Sequence, residues 1–268
     1  MEKDNKYHLS DISDNYLTGG SSFDLSSYVS SLKDSPVCSE MKKVLLTGKP
    51  ANWAAGKNTK QWADSMESDE FAESFTAGMN SRGAYLAKGI LNAIDLKKYN
   101  KILDIGGASG IYSITLLINY PDLNAAVLEK PPVDKLAQYT INKFDLNKRM
   151  NVISGNMFED NFPGGYDVHF ISHVLHDWDF NEVKCILNNS YENLEPGGIV
   201  IIHDAHINDT KTGPVSVAEY SVLLVFLSEG KCYSTSEMKQ ILEEIGFEDI
   251  QYRPTILNRS IITGIKPQ

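Results

Sequence analysis

The spacing of hydrophobic residues changes near residue 70. Residues 1–35 are rich in Ser, Asp and Asn and show little helical periodicity, and a short helix is predicted only over residues 39–46. From residue 70 onward, apolar residues recur every four positions in two series, Phe71, Phe75, Met79 and Leu86, Ile90, Ile94. Because this spacing places side chains on one face of a helix, two amphipathic helices are predicted.

After residue 100, short apolar runs alternate with longer helical patterns. Five strands are predicted at 101–105, 124–128, 151–154, 166–172 and 199–203, the last after a Pro-Gly-Gly turn at 196–198. Three helices are predicted between them, at 111–118, 133–147 and 181–194. The apolar residues of the strands follow one another directly, which is typical of strands buried on both faces. The predicted fold class is therefore α/β, a mostly parallel sheet with helices on both sides.

The C-terminal residues predict a different element. Ser234 and Glu237 have the spacing of a capping box, which begins a helix that Gly246 ends. Two strands follow, at 249–256 and 259–265, joined by a short turn. We therefore expect an antiparallel hairpin at the end of the sheet.

Composition narrows the class of protein. The 268 residues carry a formal net charge of −10, which disfavours nucleic acid and anionic membranes as partners. The longest apolar run, residues 222–227, is far shorter than the roughly 20 residues of a membrane-spanning helix. The first eleven residues lack the apolar stretch of a signal peptide. Three widely spaced cysteines fit neither a disulfide framework nor a zinc site, so we expect a protein of the reducing cytoplasm.

A glycine-rich segment follows the first strand of the α/β region and opens a helix. Glycines there let a ligand approach the backbone, and the helix N-terminus offers free N–H groups. Two of the three glycines of the dinucleotide pattern G-x-G-x-x-G are missing, which disfavours an NAD-dependent oxidoreductase. Asp104, Gly106 and Gly110 match instead the first motif of S-adenosylmethionine (SAM) methyltransferases. A carboxylate near this loop favours the cationic amino and sulfonium groups of SAM.

A second carboxylate supports the same interpretation. Glu129 ends the second predicted strand, where its side chain can accept hydrogen bonds from both ribose hydroxyls of an adenosine. The alternative is a tight turn followed by a solvated strand end. For the glycine-rich segment alone the two interpretations are balanced, and Glu129 with the terminal hairpin favours the binding site.

Candidate catalytic residues follow the fourth and fifth strands. His176 and Asp177 lie just beyond the fourth strand, and Asp204 ends the fifth. A carboxylate from a neighbouring strand can hold one ring nitrogen of a histidine as N–H and leave the other free to take a proton. Two alternatives stay open, a structural histidine and a metal site formed with His169 and His173. The histidine spacing fits no common zinc motif, so no metal is expected.

Several segments together resemble the small-molecule O-methyltransferases of the caffeic acid/hydroxyindole type, including bacterial relatives. The segments are LDIGGASG, VLEKPPV, GNMFED, HVLHDWDFNEV and LEPGGIVIIHD, followed by the closing hairpin. The resemblance covers about residues 70–266 and implies a class I SAM-methyltransferase domain, Rossmann-like with seven strands, over residues 66–268. Family members begin with a longer winged-helix-like dimerisation domain, so residues 1–65 are interpreted as its remnant and a linker. The resemblance implies a homodimer, an expectation that so short an N-terminal region weakens.

The resemblance also assigns roles to individual residues. The residues implied to contact SAM are Asp104, Gly106, Gly110, Glu129, Asn156, Met157, Ser172 and Trp178. His176 falls on the catalytic base, Asp177 lies beside it, and Asp204 falls on the acid that orients it. The residues on the helix implied to cover the acceptor pocket are Phe75, Met79 and Arg82, the first two being equally consistent with core packing. Cys232 stands where many relatives carry a second acid, and it is interpreted as a small pocket or core residue.

The function implied is methyl transfer from SAM to a hydroxyl of a small aromatic acceptor. In this hypothesis His176 removes the hydroxyl proton. Some relatives bind SAM but catalyse hydroxylation or decarboxylation, and the presence of both His176 and Asp204 disfavours that alternative. A further alternative is a SAM-binding protein that has lost turnover.

Overall fold

The computed structural model describes residues 2–3, 6–51 and 65–268. The chain divides into two compact units, Met1–Ala51 and Asn52–Gln268. Residues 52–64, between the helix predicted at 39–46 and the apolar series that begins at Phe71, lie outside the described residues. The predicted domain boundary at residue 65 therefore stays a prediction.

The N-terminal unit is built from short elements. Its strands β1 (Glu2–Lys3) and β2 (Lys6–Tyr7) pair antiparallel. Its helices are α1 (Asp11–Leu17), α2 (Ser26–Ser30) and α3 (Pro36–Thr47). The side chains of Ser10 and Ser35 accept hydrogen bonds from the first turns of α1 and α3, so both helices have N-caps. Helix α3 confirms the predicted helix, whereas α1 and α2 were missed because they are too short to show a period.

One long helix comes first among the described elements of the second unit. Helix α4 spans Asp69–Ala93 without interruption, so the prediction of two separate helices was wrong. Leu86 follows Met79 by seven positions, which is about two helical turns, so the second apolar series continues the face of the first. Gly83 and Gly89 allow close packing, because a Cβ atom at either position would lie within 3 Å of a side chain of another element.

A seven-stranded sheet forms the centre of the second unit, in the order β5-β4-β3-β6-β7-β9-β8. Its strands are β3 (Lys101–Ile105), β4 (Asn124–Glu129), β5 (Met150–Ser154), β6 (Tyr166–Ser172), β7 (Leu194–Asp204), β8 (Glu248–Pro254) and β9 (Ser260–Ile265). Strands β3 to β7 run parallel, and β9 is antiparallel to both β7 and β8. The α/β class and the terminal hairpin are confirmed.

The predicted turn at 196–198 lies inside β7. Tyr166 pairs with Leu194, but Val168 pairs with Ile199, so β7 carries extra residues opposite β6 at this point. The Pro-Gly-Gly sequence therefore forms an irregularity within a strand instead of separating a helix from a strand.

Five further helices follow α4 among the described residues. They are α5 (Ile111–Asn119), α6 (Val133–Lys143), α7 (Phe180–Asn193), α8 (Val215–Leu227) and α9 (Thr235–Ile245). The capping box of α9 is confirmed, since Ser234 and Glu237 exchange side-chain-to-backbone hydrogen bonds. Helix α6 ends four residues earlier than predicted. Helix α8 was missed because its apolar residues surround the helix and give no amphipathic period.

The two faces of the sheet bury separate apolar clusters. Neighbouring residues of β3 illustrate this, since Ile102 belongs to one cluster and Leu103 to the other. Both are fully buried, which confirms that the central strands are covered on both faces. Within the described ranges, every helix is too short or too polar to traverse a lipid bilayer. The parallel strands bring their carboxyl ends to one edge, and this edge positions the candidate site.

Candidate active site

A cavity of about 420 Å³ lies at the carboxyl ends of β3, β4 and β6. This volume is in the range of small-molecule sites. Twelve of the fourteen predicted site residues line it, namely Phe75, Met79, Arg82, Asp104, Gly106, Glu129, Asn156, Met157, Ser172, His176, Asp177 and Trp178. The other two, Gly110 and Asp204, are not among its lining residues. These twelve residues therefore lie around one cavity, and their roles in binding and catalysis stay predictions.

The glycine-rich loop joins β3 to α5 in a conformation that favours glycine. Gly106 and Gly110 have φ angles of +64° and +75°. A Cβ atom at Gly110 would lie 2.7 Å from the Met150 side chain and 2.9 Å from that of Val127. Gly110 is also the N-cap residue of α5. Gly110 therefore packs against the side chains of Met150 and Val127, whereas Gly106 lines the cavity.

Asp104 lies beneath the loop with one unpaired oxygen. Its Oδ2 accepts a hydrogen bond of 2.6 Å from Ser113 Oγ, but its buried Oδ1 has no hydrogen-bond partner. Burial raises the pKa of Asp104 to about 7, and the charge of Glu129 adds to the rise while Ser113 opposes it. A ligand that carries an amino group at this point would satisfy Oδ1.

Glu129 is held by the backbone on both sides of its carboxylate. The N–H of Lys130 donates to Oε1 at 2.9 Å, and the N–H of Ala108 donates to Oε2 at 3.1 Å. Burial raises its pKa, although these two hydrogen bonds act in the opposite direction. Each oxygen keeps a further lone pair for a ligand hydroxyl. The arrangement suits the vicinal hydroxyls of a ribose.

Aromatic and amide side chains continue the lining beyond β5. Asn156 Oδ1 accepts a hydrogen bond of 3.1 Å from the N–H of Phe158, which fixes the amide. The ring of Phe158 packs edge-on against Trp178, with centroids 4.6 Å apart. These contacts hold Trp178 and Asn156 on the same wall of the cavity.

His176 and Asp204 form a buried pair. His176 lies in a single 3₁₀ turn, Leu175–Asp177, directly after β6, and its Nδ1 is 2.6 Å from Asp204 Oδ1. Asp204 ends β7, the parallel neighbour of β6, and its Oδ1 also accepts a hydrogen bond from the N–H of Ala205 at 2.7 Å. The carboxylate makes Nδ1 the donor of the pair, so Nε2 is left to accept a proton.

Different groups face Nε2 of His176. The hydroxyl of Tyr220 is 3.4 Å away, and Asp177 Oδ1 is 3.8 Å away. Asp177 therefore stands on the opposite side of the imidazole from Asp204. Sequence reasoning missed Tyr220, because it lies on the unpredicted helix α8.

The charges of this cluster are strongly coupled. Burial acts to lower the pKa of His176, but the charges of Asp204 and Asp177 outweigh it and raise the pKa above its usual value. For Asp204, burial acts to raise the pKa, yet His176 holds it well below the usual range. Burial raises the pKa of Asp177 to about 6 against the opposing effect of His176. The pair therefore favours an imidazolium held by a carboxylate.

His169 and His173, the other two histidines of the possible metal site, differ in position. His169 Nδ1 lies 2.9 Å from Ser190 Oγ in the protein interior, so His169 is separate from His173 and His176. His173 lines the cavity, with Nδ1 3.5 Å from Asp204 Oδ1. Among the described residues, His173, His176 and Asp204 bring three ligand-type atoms within 4.8 Å of one another. The shortest of these contacts is the hydrogen bond between His176 and Asp204.

Cys232 is a core residue, as interpreted from the sequence. It packs in a small buried cluster with Ala205, Ile207, Val217 and Leu224. Burial raises the pKa of its thiol to about 12, so the thiol stays protonated at neutral pH. Cys232 therefore supplies no second negative charge beside His176.

Comparison with known proteins identifies the family. The family model of the O-methyltransferase domain matches residues 39–248, well over half of the chain. The protein belongs to this family, whose fold is that of the class I SAM-dependent methyltransferases.

Two curated relatives illustrate the range of the family. Acetylserotonin O-methyltransferase of Gallus gallus is 29% identical over 188 residues, 70% of this chain and 54% of that protein. L-tyrosine C(3)-methyltransferase of Streptomyces lavendulae is 33% identical over 183 residues, 68% of this chain and 50% of that protein. The chain thus spans about half the length of the curated relatives it matches.

Solved structures match over nearly the whole chain. An O-methyltransferase family 2 protein of Planctomyces limnophilus, in complex with apigenin, has a TM-score of 0.80 at 25% identity, covering 96% of this chain and 74% of that one. Human N-acetylserotonin methyltransferase, in complex with SAM, has a TM-score of 0.79 at 20% identity, covering 97% and 75%. At 20% identity, the likeness to the human protein establishes only a shared fold.

The buried pair predicts how His176 titrates. In the wild-type protein, the pKa of His176 should lie above 6.5, the ordinary value for histidine. In Asp204→Asn the pKa of His176 should be lower than in the wild type, because burial is then opposed only by the charge of Asp177. Imidazole NMR shifts followed against pH would measure both values. Asp122→Asn, which removes an exposed acid elsewhere, is the control and should leave the titration unchanged. Equal pKa values in the wild type and Asp204→Asn would contradict the assignment of the pair.

Proposed function

We propose that this protein transfers a methyl group from SAM to the hydroxyl of a small aromatic acceptor, with His176 as the general base. One observation carries the proposal. Asp204 engages Nδ1 of His176 at 2.6 Å, which leaves Nε2 as the proton-accepting atom of a histidine that lines the cavity. The family supports the reaction class, and the apigenin bound to the Planctomyces protein supports an aromatic acceptor.

The cavity fits SAM at the glycine-rich loop. Three features agree with such a ligand: the positive φ angle of Gly106, the unpaired Oδ1 of Asp104 and the backbone-held carboxylate of Glu129. Asp104 would pair with the amino group and Glu129 with the ribose hydroxyls, while Asn156, Met157 and Trp178 would line the remaining wall. When bound, SAM supplies an electrophilic methyl group on a positively charged sulfur.

His176 would take the acceptor's hydroxyl proton at Nε2. The resulting imidazolium keeps its Nδ1–H bond to Asp204, and its charge is then balanced by that carboxylate. The raised pKa of His176 reflects this stabilisation. Help from a general base of this kind is typically worth about 10²–10⁴-fold in rate.

Apolar side chains line the same cavity and would keep water from the reacting groups. They come from α4 and α8 and include Phe75, Met79, Leu223 and Leu227. Such a lining suits the flat ring of an aromatic acceptor. Holding a reactive hydroxyl in a fixed orientation supplies further acceleration beyond proton transfer.

A second candidate reaction is methylation of a ring carbon next to the hydroxyl. One observation favours it, the 33% identity to a protein named as an L-tyrosine C(3)-methyltransferase. Removal of a phenolic proton raises the electron density of the oxygen and of the adjacent ring carbons alike. In both reactions His176 would take the phenolic proton and the bond between sulfur and methyl in SAM would break. On carbon, the methylated position must then lose its ring proton while the oxygen is protonated again, which restores the phenol. The product decides between the two reactions.

Glu129 should determine SAM affinity. Glu129→Gln should weaken SAM binding about ten- to hundredfold, because hydrogen bonds from the ribose to a charged group are lost. Isothermal titration calorimetry of SAM and, in parallel, of NAD measures this, and NAD should bind far more weakly than SAM. Glu159→Gln, at an exposed glutamate, is the matched control and should bind SAM normally. An unchanged dissociation constant for Glu129→Gln, or equal binding of NAD, would count against the cofactor assignment.

His176 should determine turnover without affecting SAM binding. His176→Ala should lower kcat about 10²–10⁴-fold on a panel of phenols, with SAM affinity close to that of the wild type. Methyl transfer is measured by mass spectrometry of the products, and NMR then locates the methyl on oxygen or carbon. His8→Ala, at an exposed histidine of the N-terminal unit, should retain wild-type rates.

Three outcomes would oppose the proposal. Full activity in His176→Ala would exclude the role of this base. Products methylated only on carbon would favour the second candidate reaction. Normal SAM binding without methyl transfer by the wild type would favour a relative with another reaction or a protein that has lost turnover.

A further inference from the structure

The cavity contains several buried polar atoms without partners. Four of its lining residues have such side-chain atoms: Thr76 Oγ1, Arg82 Nε, Asp104 Oδ1 and both ring nitrogens of His173. Leaving a buried polar atom unpaired costs free energy, so a group of them in one cavity indicates a polar ligand. Asp104 belongs to the glycine-rich loop. The remaining three need partners of their own.

Among Thr76, Arg82 and His173, Arg82 carries a permanent positive charge. It lies on α4, and its Nη2 contacts Met79 Sδ at 3.4 Å, a weak acceptor. Within residues 2–3, 6–51 and 65–268, no carboxylate oxygen lies within 4.0 Å of its guanidinium. A half-buried guanidinium with an unsatisfied Nε is therefore part of the wall of the cavity.

The charge of Arg82 acts on the same groups that surround the candidate base. Burial is the largest influence on the pKa values of His176, Asp177 and Tyr220, and the positive charge of Arg82 lowers all three. The Tyr220 hydroxyl is itself 3.4 Å from Nε2 of His176. Arg82, Tyr220 and His176 all line the cavity, and the Tyr220 hydroxyl also has a hydrogen bond with the Arg82 side chain. One small molecule in the cavity can therefore reach both the guanidinium and Nε2.

We propose that Arg82 binds an anionic group of the acceptor, and that the acceptor is an aromatic hydroxy acid. Its hydroxyl faces Nε2 of His176, and its carboxylate accepts hydrogen bonds from the guanidinium, including Nε–H. Arginine suits this role because its planar donors match the two oxygens of a carboxylate. The inference rests on the proposed methyl transfer and deepens it by naming the class of acceptor.

Binding of matched acids and amides tests this directly. The ligands are 2-, 3- and 4-hydroxybenzoate and the three corresponding hydroxybenzamides, which keep the shape and lose the charge. Their dissociation constants are measured by calorimetry on the full chain saturated with S-adenosylhomocysteine. At least one acid should bind about ten- to hundredfold more tightly than its amide, the range expected of a charge-assisted pair. The three isomers place the carboxylate at different distances from the hydroxyl.

Three variants isolate the contribution of Arg82. Arg82→Met should remove the preference for the acid, whereas Arg82→Lys, which keeps the positive charge, should retain part of it. Lys88→Met is the matched control, since it removes one positive charge from an exposed position of the same helix. This control should retain the full preference. Equal melting temperatures of the variants show that a lost preference is not a folding defect.

The outcomes separate this inference from the proposed function. Three results would overturn the role of Arg82. They are equal binding of acids and amides, no binding of any hydroxybenzoate, and a preference for the acid that survives in Arg82→Met. If neutral phenols are methylated in that case, the proposed function stands without it. If an acid binds through Arg82 but no phenol is methylated, the anion site stands and the proposed function fails.

Discussion

The hydrogen bond between His176 Nδ1 and Asp204 determines what this site can do, and the sheet determines that hydrogen bond. Ser172 of β6 pairs with His203 of β7, so the turn after β6 and the last residue of β7 meet at one edge. Gly230 lies against the backbone of His176, where a Cβ atom would collide with the His176 carbonyl. His176 is therefore held by strand register on one side and by a close backbone contact on another.

Most of the carboxyl edge could be predicted from the sequence because parallel strands place their ends together. Asp104, Glu129, His176 and Asp204 each stand at or just beyond a strand whose apolar run is easy to recognise. Once the strands alternate with helices, the edge follows from general rules of α/β folds. The distance between two side chains does not follow from these rules, since it depends on register and on the backbone of the connecting turns.

The residues that sequence reasoning missed are brought to the cavity by packing between distant parts of the chain. Tyr220 lies on α8, an apolar helix without a polar face, so no periodicity marked it. Thr76 has no signal in the sequence, and His173 was considered there only as a possible metal ligand. The structure reveals that their polar atoms are buried in the cavity without hydrogen bonds. The division of α4 into two helices was wrong because a seven-residue gap in the apolar series was taken for a break. Asp177 was predicted beside His176, but the side it occupies depends on the 3₁₀ turn.

We propose that His176 accepts the proton of the acceptor, and the dependence of methyl transfer on phenol acidity is the sharpest test of this role. The rate of the methyl-transfer step is measured for the wild type and His176→Ala with phenols of decreasing pKa, including nitrophenols that are already ionised at the assay pH. A base is needed only when a proton must be removed. The rate of the variant should fall about 10²–10⁴-fold with weakly acidic phenols and change little with ionised ones. An equal loss across the series would contradict it, because His176 would then act on something other than the proton.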